Sequence, residues 1–202
     1  GFRTSKSGAQ GYFGITPDMC TMAKILAGGL PGGAVGGKAD IINMIQFRDD
    51  EEFNSSTRIP HNGTYNANPL SAVAGATALG LVANTPVNDI ANAMADRLKK
   101  GLNNMLSETE TPGRATGVAS MVFIRLGIDI NTDDDLYEFG SAEYKKILDP
   151  AMLQQFNLAL YSHGVHASHR FILGSKHSEQ DIDDTVDSVS KAIDDLKQEG
   201  FL

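Results

Sequence analysis

Residues 22–37 read Met-Ala-Lys-Ile-Leu-Ala-Gly-Gly-Leu-Pro-Gly-Gly-Ala-Val-Gly-Gly, a short apolar run with one lysine that passes directly into glycine-rich sequence. The glycines and Pro31 exclude a regular helix over residues 28–37. By position alone the role of Lys24 is open. Its stem can lie on apolar surface while the ammonium group stays in water. Alternatively, the apolar neighbours desolvate the amine, favour its neutral form and make it nucleophilic towards an aldehyde cofactor.

A second lysine, Lys38, ends a segment similar to a nucleotide-binding P-loop. Residues 32–39 have the glycines and the lysine of that motif, but Ala39 stands where the motif requires Ser or Thr to ligate magnesium. The preceding residues, Gly28-Gly-Leu-Pro31, are also unlike the buried strand that should run into such a loop. The segment therefore disfavours a nucleotide triphosphatase.

Composition excludes several other classes of function. The chain has 202 residues, 41% of them hydrophobic and 21% charged, which is ordinary for a globular protein. Its net charge of −8 repels phosphate backbones, so nucleic acid is not expected as a partner. No apolar run reaches the roughly 18 residues of a membrane span. A single cysteine, Cys20, excludes an internal disulfide framework and predicts a cytoplasmic location. Because the chain begins at Gly1 without Met, we expect it to be a fragment.

Hydrophobic periodicity predicts the main elements. Residues 39–47 could form a short helix, and residues 49–58 are polar and predict an exposed loop. Helical spacing begins at Pro69, is interrupted by Pro86 and continues to about residue 107. We therefore predict a domain boundary near Pro86, with domains of residues 1–85 and 86–202.

The second half predicts a small unit of strands and helices. Residues 120–125 are β-branched and apolar, which indicates a strand, and short strands are expected at residues 166–168 and 171–173. Pro150 opens one helix, and Ser178 is placed to cap the last. The acidic residues 129–135 predict a solvated loop.

Several motifs together resemble a known family. The chain contains Gly8-Ala-Gln, Tyr12-Phe-Gly, Pro17-Asp, Ala23-Lys-Ile, Gly28-Gly-Leu-Pro and Gly63-Thr-Tyr-Asn-Ala-Asn-Pro69, and it closes with His177-Ser-Glu-Gln-Asp-Ile182. These motifs resemble the cofactor-lysine region and closing segment of class III aminotransferases, in particular members like glutamate-1-semialdehyde aminomutase. Gly1-Phe-Arg3 is similar to the end of a signature of that family. The resemblance implies an α/β fold, the fold type I of pyridoxal-phosphate enzymes. Residues 1–85 would be the C-terminal part of its large domain and residues 86–202 its small α+β domain.

The resemblance also implies a cofactor and its ligands. Lys24 matches the lysine that forms a Schiff base with pyridoxal 5′-phosphate. Thr64 matches the threonine that reaches the cofactor phosphate of the neighbouring subunit in a homodimer, and Gly63 matches the glycine that gives backbone access. An ordinary turn hydroxyl is the alternative for Thr64, because Asn62-Gly63 is itself a turn pair. The family's aspartate that pairs with the pyridinium nitrogen would precede Gly1, so we expect these 202 residues alone to be inactive.

The implied reaction is amino transfer, by an aminotransferase or by an aminomutase. Residues 165–177 are shorter than the matching stretch of the aminomutase and lack its glutamate, which favours an aminotransferase acting on an amino acid or amino-carboxylate. Arg170 stands in this stretch and is either a ligand of the substrate carboxylate or an exposed residue at a strand edge. A non-catalytic scaffold is the alternative of another class. His163, His166 and His169 span a helix end and a strand, so no metal site is predicted.

Overall fold

The structure of the protein is a computed structural model, and it describes residues 1–128 and 149–202. The chain divides into two compact units, Gly1–Pro86 and Val87–Leu202. Each unit is described by itself below. The acidic residues 129–135, predicted to form a solvated loop, lie outside the described residues.

The first unit is built from short elements and one long helix. The short helix α1 spans Gly8–Tyr12, strand β1 spans Met19–Ala23 and strand β2 spans Gly33–Gly37. The two strands pair antiparallel from Met19↔Gly37 to Ala23↔Gly33. Between them, Lys24–Ala27 forms one turn of 3-10 helix. The glycine-rich segment therefore contains no α-helix, as predicted, but half of it forms a strand.

Residues 39–58 differ in part from the prediction. Helix α2 covers only Ala39–Ile42 and continues as the 3-10 turn Asn43–Ile45. Phe53–Thr57 forms a π-helical turn where an exposed loop was predicted, so that prediction was wrong. The reason is Phe53, the one large apolar residue of this polar stretch, whose side chain is buried and has the guanidinium group of Arg48 over its ring at 3.7 Å.

Helix α3, Pro69–Asn84, follows the prediction closely. It begins at Asn68 because the side-chain Oδ1 accepts a hydrogen bond from the backbone N–H of Ser71 at 3.1 Å, and Pro69 suits the first turn. It ends before Pro86 because a residue that precedes proline avoids helical backbone angles, and Thr85 is accordingly extended.

The first unit buries few apolar side chains. Among its described residues only two hydrophobic side chains are buried, those of Ala27 and Phe53. Large side chains along α3 and before it are exposed instead, with Tyr65 at 74%, Leu70 at 68% and Val73 at 68%. Several large apolar side chains are therefore exposed in the same part of the chain, whereas exposed apolar residues are ordinarily scattered singly over a surface.

The second unit has a three-stranded sheet covered by helices. Helix α4 is Val87–Glu108, strands β3 and β4 are Gly113–Val118 and Met121–Leu126, helix α5 is Pro150–Ser162, strand β5 is Arg170–Ile172 and helix α6 is Glu179–Gln198. The sheet order is β3-β4-β5, with both pairs antiparallel. Strand β3 was not predicted, because its two glycines disfavour a strand and it forms only through pairing with β4. The predicted strand at residues 166–168 was wrong, since this segment is a loop.

The core of the second unit lies between the sheet and α4, α5 and α6. One face of the sheet supplies Ala115, Val122, Ile124 and Phe171, and the helices supply fully buried Leu98, Leu102, Phe156 and Val189. Helix α6 begins with a capping box of Ser178 and Asp181. Arg97 of α4 donates to both carboxylate oxygens of Asp183 on α6, at 2.8 and 2.7 Å.

No single helix among the described residues is long and apolar enough to span a membrane; only α3 and α4 taken together pass by length and composition.

Candidate active site

Lys24 lies where strand β1 ends and the chain turns. Ala23 is extended, with φ −156° and ψ −168°, whereas Lys24 has a left-handed φ of 57° and opens the 3-10 turn. Gly28 and Gly29 follow with φ of 61° and 93°. Among residues that carry a Cβ this backbone conformation is uncommon, because the Cβ approaches the carbonyl oxygen. Lys24 is one of four described non-glycine residues with left-handed φ, and because strained backbone of this kind clusters at functional sites, the conformation supports a role for Lys24.

The side chain of Lys24 is exposed in this structure. Its apolar sequence neighbours Ile25 and Leu26 are half-buried and do not surround the amine. Within residues 1–128 and 149–202 the ammonium group forms no ion pair and no hydrogen bond. Lys38, by contrast, pairs with Asp18 at 2.5 Å. Of the two alternatives that the sequence left open, the described residues provide the exposed ammonium group and not the desolvated amine, and Lys24 presents an unpaired amine.

Thr64 lies in a tight loop directly before α3. The backbone N–H of Asn66 donates to the carbonyl oxygen of Gly63 at 3.0 Å, and the Asn66 amide donates to the carbonyl oxygen of His61 at 3.2 Å. A Cβ on Gly63 would lie 2.7 Å from Oδ1 of Asn66, so only glycine fits there without a shift. Ala67 has a left-handed φ of 55°. Thr64 is exposed, and its hydroxyl has no hydrogen-bond partner in the described part of the chain.

A groove of about 650 Å³ joins the two predicted site segments of the first unit. One wall is the turn after Lys24, with Leu26, Ala27 and Pro31, and the other is the loop after Thr64, with Tyr65 and Asn66. Neither Lys24 nor Thr64 is among the described residues that line it. The groove brings the segments together without bringing the two side chains into contact.

Arg170 belongs to the second unit and opens strand β5. It is exposed and pairs with Phe123 on β4, whereas the next residue, Phe171, is buried in the core. By the alternation of a strand, Arg170 therefore lies on the face of the sheet that points away from the core. It also lines a groove of about 530 Å³ together with His166 and His177.

A second positively charged side chain, that of Arg125, lies near Arg170. Burial holds the pKa of His169 below its usual range, and the charges of Arg170 and Arg125 lower that pKa further. Arg125 lies on the same face of the sheet and donates a hydrogen bond to Thr116. This face therefore suits an anionic group.

The three spaced histidines have separate partners. Nε2 of His163 lies 2.8 Å from Oδ2 of Asp195, and the ring of His166 lies 5.3 Å from that of Tyr161. The backbone carbonyl of His169 accepts from the N–H of Ile124 at 2.9 Å. The described residues contain no group of three or more metal-ligating side chains.

Sequence reasoning missed the helix residues that contact the lysine turn. Ser71 and Gly75 of α3 touch Pro31 and Leu26, which a pattern of small residues in a helix does not reveal. The left-handed backbone of Lys24 also had no signal, because lysine has no preference for that conformation.

Comparison with known proteins shows the family. The family model described as aminotransferase class-III matches residues 1–192. Glutamate-1-semialdehyde 2,1-aminomutase of Pyrobaculum islandicum is 30% identical over 201 residues, covering 98% of this chain and 44% of that protein. Glutamate-1-semialdehyde 2,1-aminomutase 2 of Bacillus pumilus is 30% identical over 202 residues, covering 98% of this chain and 43% of that protein.

Solved structures agree in fold. An omega-transaminase from Sphaerobacter thermophilus superposes with a TM-score of 0.76 at 29% identity, covering 97% of this chain and 42% of that one. A glutamate-1-semialdehyde aminomutase from Pseudomonas aeruginosa has a TM-score of 0.73 at 17% identity, covering 96% and 43%, and shows the fold alone. The chain spans less than half the length of the relatives it matches. It has the α/β fold predicted from its motifs and belongs to the class III aminotransferase family.

Proposed function

We propose that this chain is part of a pyridoxal-phosphate-dependent aminotransferase. The enzyme moves an amino group between an amino acid or amino-carboxylate and an oxo acid or aldehyde. The observation that carries the proposal is Lys24, an exposed and unpaired amine on left-handed backbone at the end of a strand. Covalent attachment of an aldehyde cofactor requires an accessible lysine amine that is not held by another group.

The residues present fit such a cofactor. Lys24 would hold the aldehyde carbon of the cofactor in its own subunit, and the free hydroxyl of Thr64 beside Gly63 would donate to the phosphate of the cofactor in the neighbouring subunit. Both groups are exposed and have no other partner among the described residues. When bound, pyridoxal phosphate serves as an electron sink for charge developing at the substrate α-carbon. The ε-amine of Lys24, when not bound to the cofactor, would act as general base on the proton of that carbon.

Thr64 would serve the neighbouring subunit of a homodimer. The exposed apolar surface that runs from Tyr65 along Leu70 and Val73 supports this, because such a surface is typical of a face that another chain or domain covers. We also place the enzyme in the cytoplasm, since its single cysteine, Cys20, is free.

Arg170 would bind the carboxylate of the substrate. Its guanidinium group is exposed on the outer face of the sheet, where Arg125 adds a second positive charge. Arginine binds carboxylates through two parallel hydrogen bonds, so lysine should replace it poorly.

An aminomutase is the second candidate, because relatives about 30% identical to this chain are glutamate-1-semialdehyde aminomutases. The lack of a glutamate in residues 165–177 favours the aminotransferase instead. The two reactions differ in what they consume. An aminotransferase needs a donor and a separate acceptor, whereas an aminomutase rearranges a single amino aldehyde. Conversion of glutamate-1-semialdehyde without added acceptor would establish the aminomutase.

The test uses the intact protein incubated with pyridoxal phosphate, reduced with borohydride and digested for mass spectrometry. We expect a pyridoxyl group on Lys24 and none in Lys24→Ala. Lys38→Ala is the matched control, since Lys38 lies in the same segment but is ion-paired with Asp18. An unmodified Lys24 in the folded wild type would refute the enzyme and favour a non-catalytic scaffold.

A further inference from the structure

Helix α3 contacts the turn that begins at Lys24 through backbone and small side chains. A Cβ on Gly75 would lie 2.2 Å from the carbonyl oxygen of Leu26, far inside any allowed contact. A Cβ on Gly28 would lie 2.4 Å from the carbonyl oxygen of Ala74. The hydroxyl of Ser71 donates to the carbonyl oxygen of Pro31 at 2.7 Å. The backbone of the helix and the backbone of the turn are therefore in direct contact, with no large side chain between them.

These contacts hold the turn on one side, and the β hairpin holds it on the other. Before Lys24, Ala23 pairs with Gly33. After Lys24, Ala27 is buried with 4% of its surface exposed, and its Cβ would lie 2.7 Å from a Cβ on Gly32. Left-handed backbone at a residue with a Cβ persists only where its surroundings leave it no alternative. The hairpin and α3 together provide those surroundings for Lys24.

We infer that Ser71 and Gly75 of α3 are positioning residues for Lys24. They act through the backbone of Leu26 and Pro31, and they set the direction in which the amine leaves the strand. The inference rests on the proposed function of Lys24. It adds that the reactive lysine depends on a helix whose residues need not touch the cofactor.

The first test is Gly75→Ala in the intact protein. The new methyl group must move Leu26 by about 1 Å to reach ordinary contact, and a displacement of that size costs about 100-fold in a reaction that depends on alignment. We expect the rate at which pyridoxal phosphate forms the borohydride-trapped adduct on Lys24 to fall by about that factor. Hydrogen exchange at the amides of residues 25–30 should also become faster in the cofactor-free protein.

Gly80→Ala is the matched control. Gly80 lies in the same helix, and no described atom lies within 4 Å of the Cβ that alanine would add. We expect adduct formation within about twofold of the wild type, because the only change is a methyl group in open space. Equal weakening by Gly75→Ala and Gly80→Ala would overturn the inference, since a general effect on α3 would then explain both.

Ser71→Ala provides a second test that does not depend on a steric clash. It removes one hydrogen bond, so we expect about tenfold slower adduct formation with a melting temperature only about 2–4 °C lower, and recovery of both in Ser71→Thr. If Gly75→Ala does not fold, Ser71→Ala decides, and wild-type adduct formation in it overturns the inference. Absence of any adduct on wild-type Lys24 is a different result, because it refutes the proposed function instead.

Discussion

The strained backbone of Lys24 makes a prediction that is independent of activity. At ordinary positions, replacing glycine by alanine stabilises a protein by about 0.4–1 kcal/mol, because alanine has less conformational freedom in the unfolded chain. At φ 57° the order reverses, since a Cβ in left-handed backbone costs about 1–2 kcal/mol. Lys24→Gly and Lys24→Ala both remove the amine, so neither can hold the cofactor. Glycine should nevertheless give the more stable cofactor-free protein, by about 0.5–1 kcal/mol.

The assay is urea unfolding of the intact, cofactor-free protein, with the midpoints of the two variants compared directly. Only the sign of the difference between the two urea midpoints is needed, so the comparison remains valid if unfolding is not two-state. Gly80 and Gly80→Ala form the control pair. That position is helical and unobstructed, so alanine should be the more stable residue there. If alanine is at least as stable as glycine at position 24 as well, the left-handed strain is absent and the structural argument for Lys24 fails.

Three further predictions concern the supports of the two units. Asn68→Ala removes the cap of α3 and should lower stability by about 1 kcal/mol and weaken cofactor retention, measured by unfolding and by dialysis; wild-type values for both would contradict it. Arg97→Ala should lower the melting temperature at neutral pH. Because Arg97 holds the pKa of Asp183 below its ordinary value of 3.8, this loss should disappear as the pH falls through that lowered pKa, whereas a loss that persists in acid would exclude the ion pair as its cause. Phe156→Ala should cost about 3–5 kcal/mol by urea unfolding, because its ring is fully buried, and a loss under 1 kcal/mol would show a different core.

The groove of the first unit is lined by residues next to the two candidate residues and not by the candidates themselves. Leu26 and Ala27 line one wall and Tyr65 and Asn66 the other, but the amine of Lys24 and the hydroxyl of Thr64 lie outside it. The structure therefore gives no direct contact between Lys24 and Thr64, and the proposed homodimer, in which each residue serves a different cofactor, requires none.

Several features could be predicted because they depend on residues close together in sequence. Asn68-Pro69 specifies the start of α3 through a side-chain cap and a ring that suits the first turn, and Ser178 with Asp181 does the same for α6. Apolar spacing placed α4, because one face of it packs on the core. The motifs around Lys24 and Gly63-Thr64 were sufficient to name the family.

Other features depended on contacts between distant residues. Strand β3 forms because β4 supplies its hydrogen-bond partners, and the loop at residues 166–168 remains a loop because its backbone has no such ladder. The conformation of Lys24 belongs to the same class. The sequence by itself was sufficient to select Lys24 as the proposed cofactor lysine, through the glycines that follow it and the Gly63-Thr64 loop. Only the tertiary structure decided how that lysine is held, because its left-handed backbone is maintained by Ser71 and Gly75, more than forty positions further along the chain.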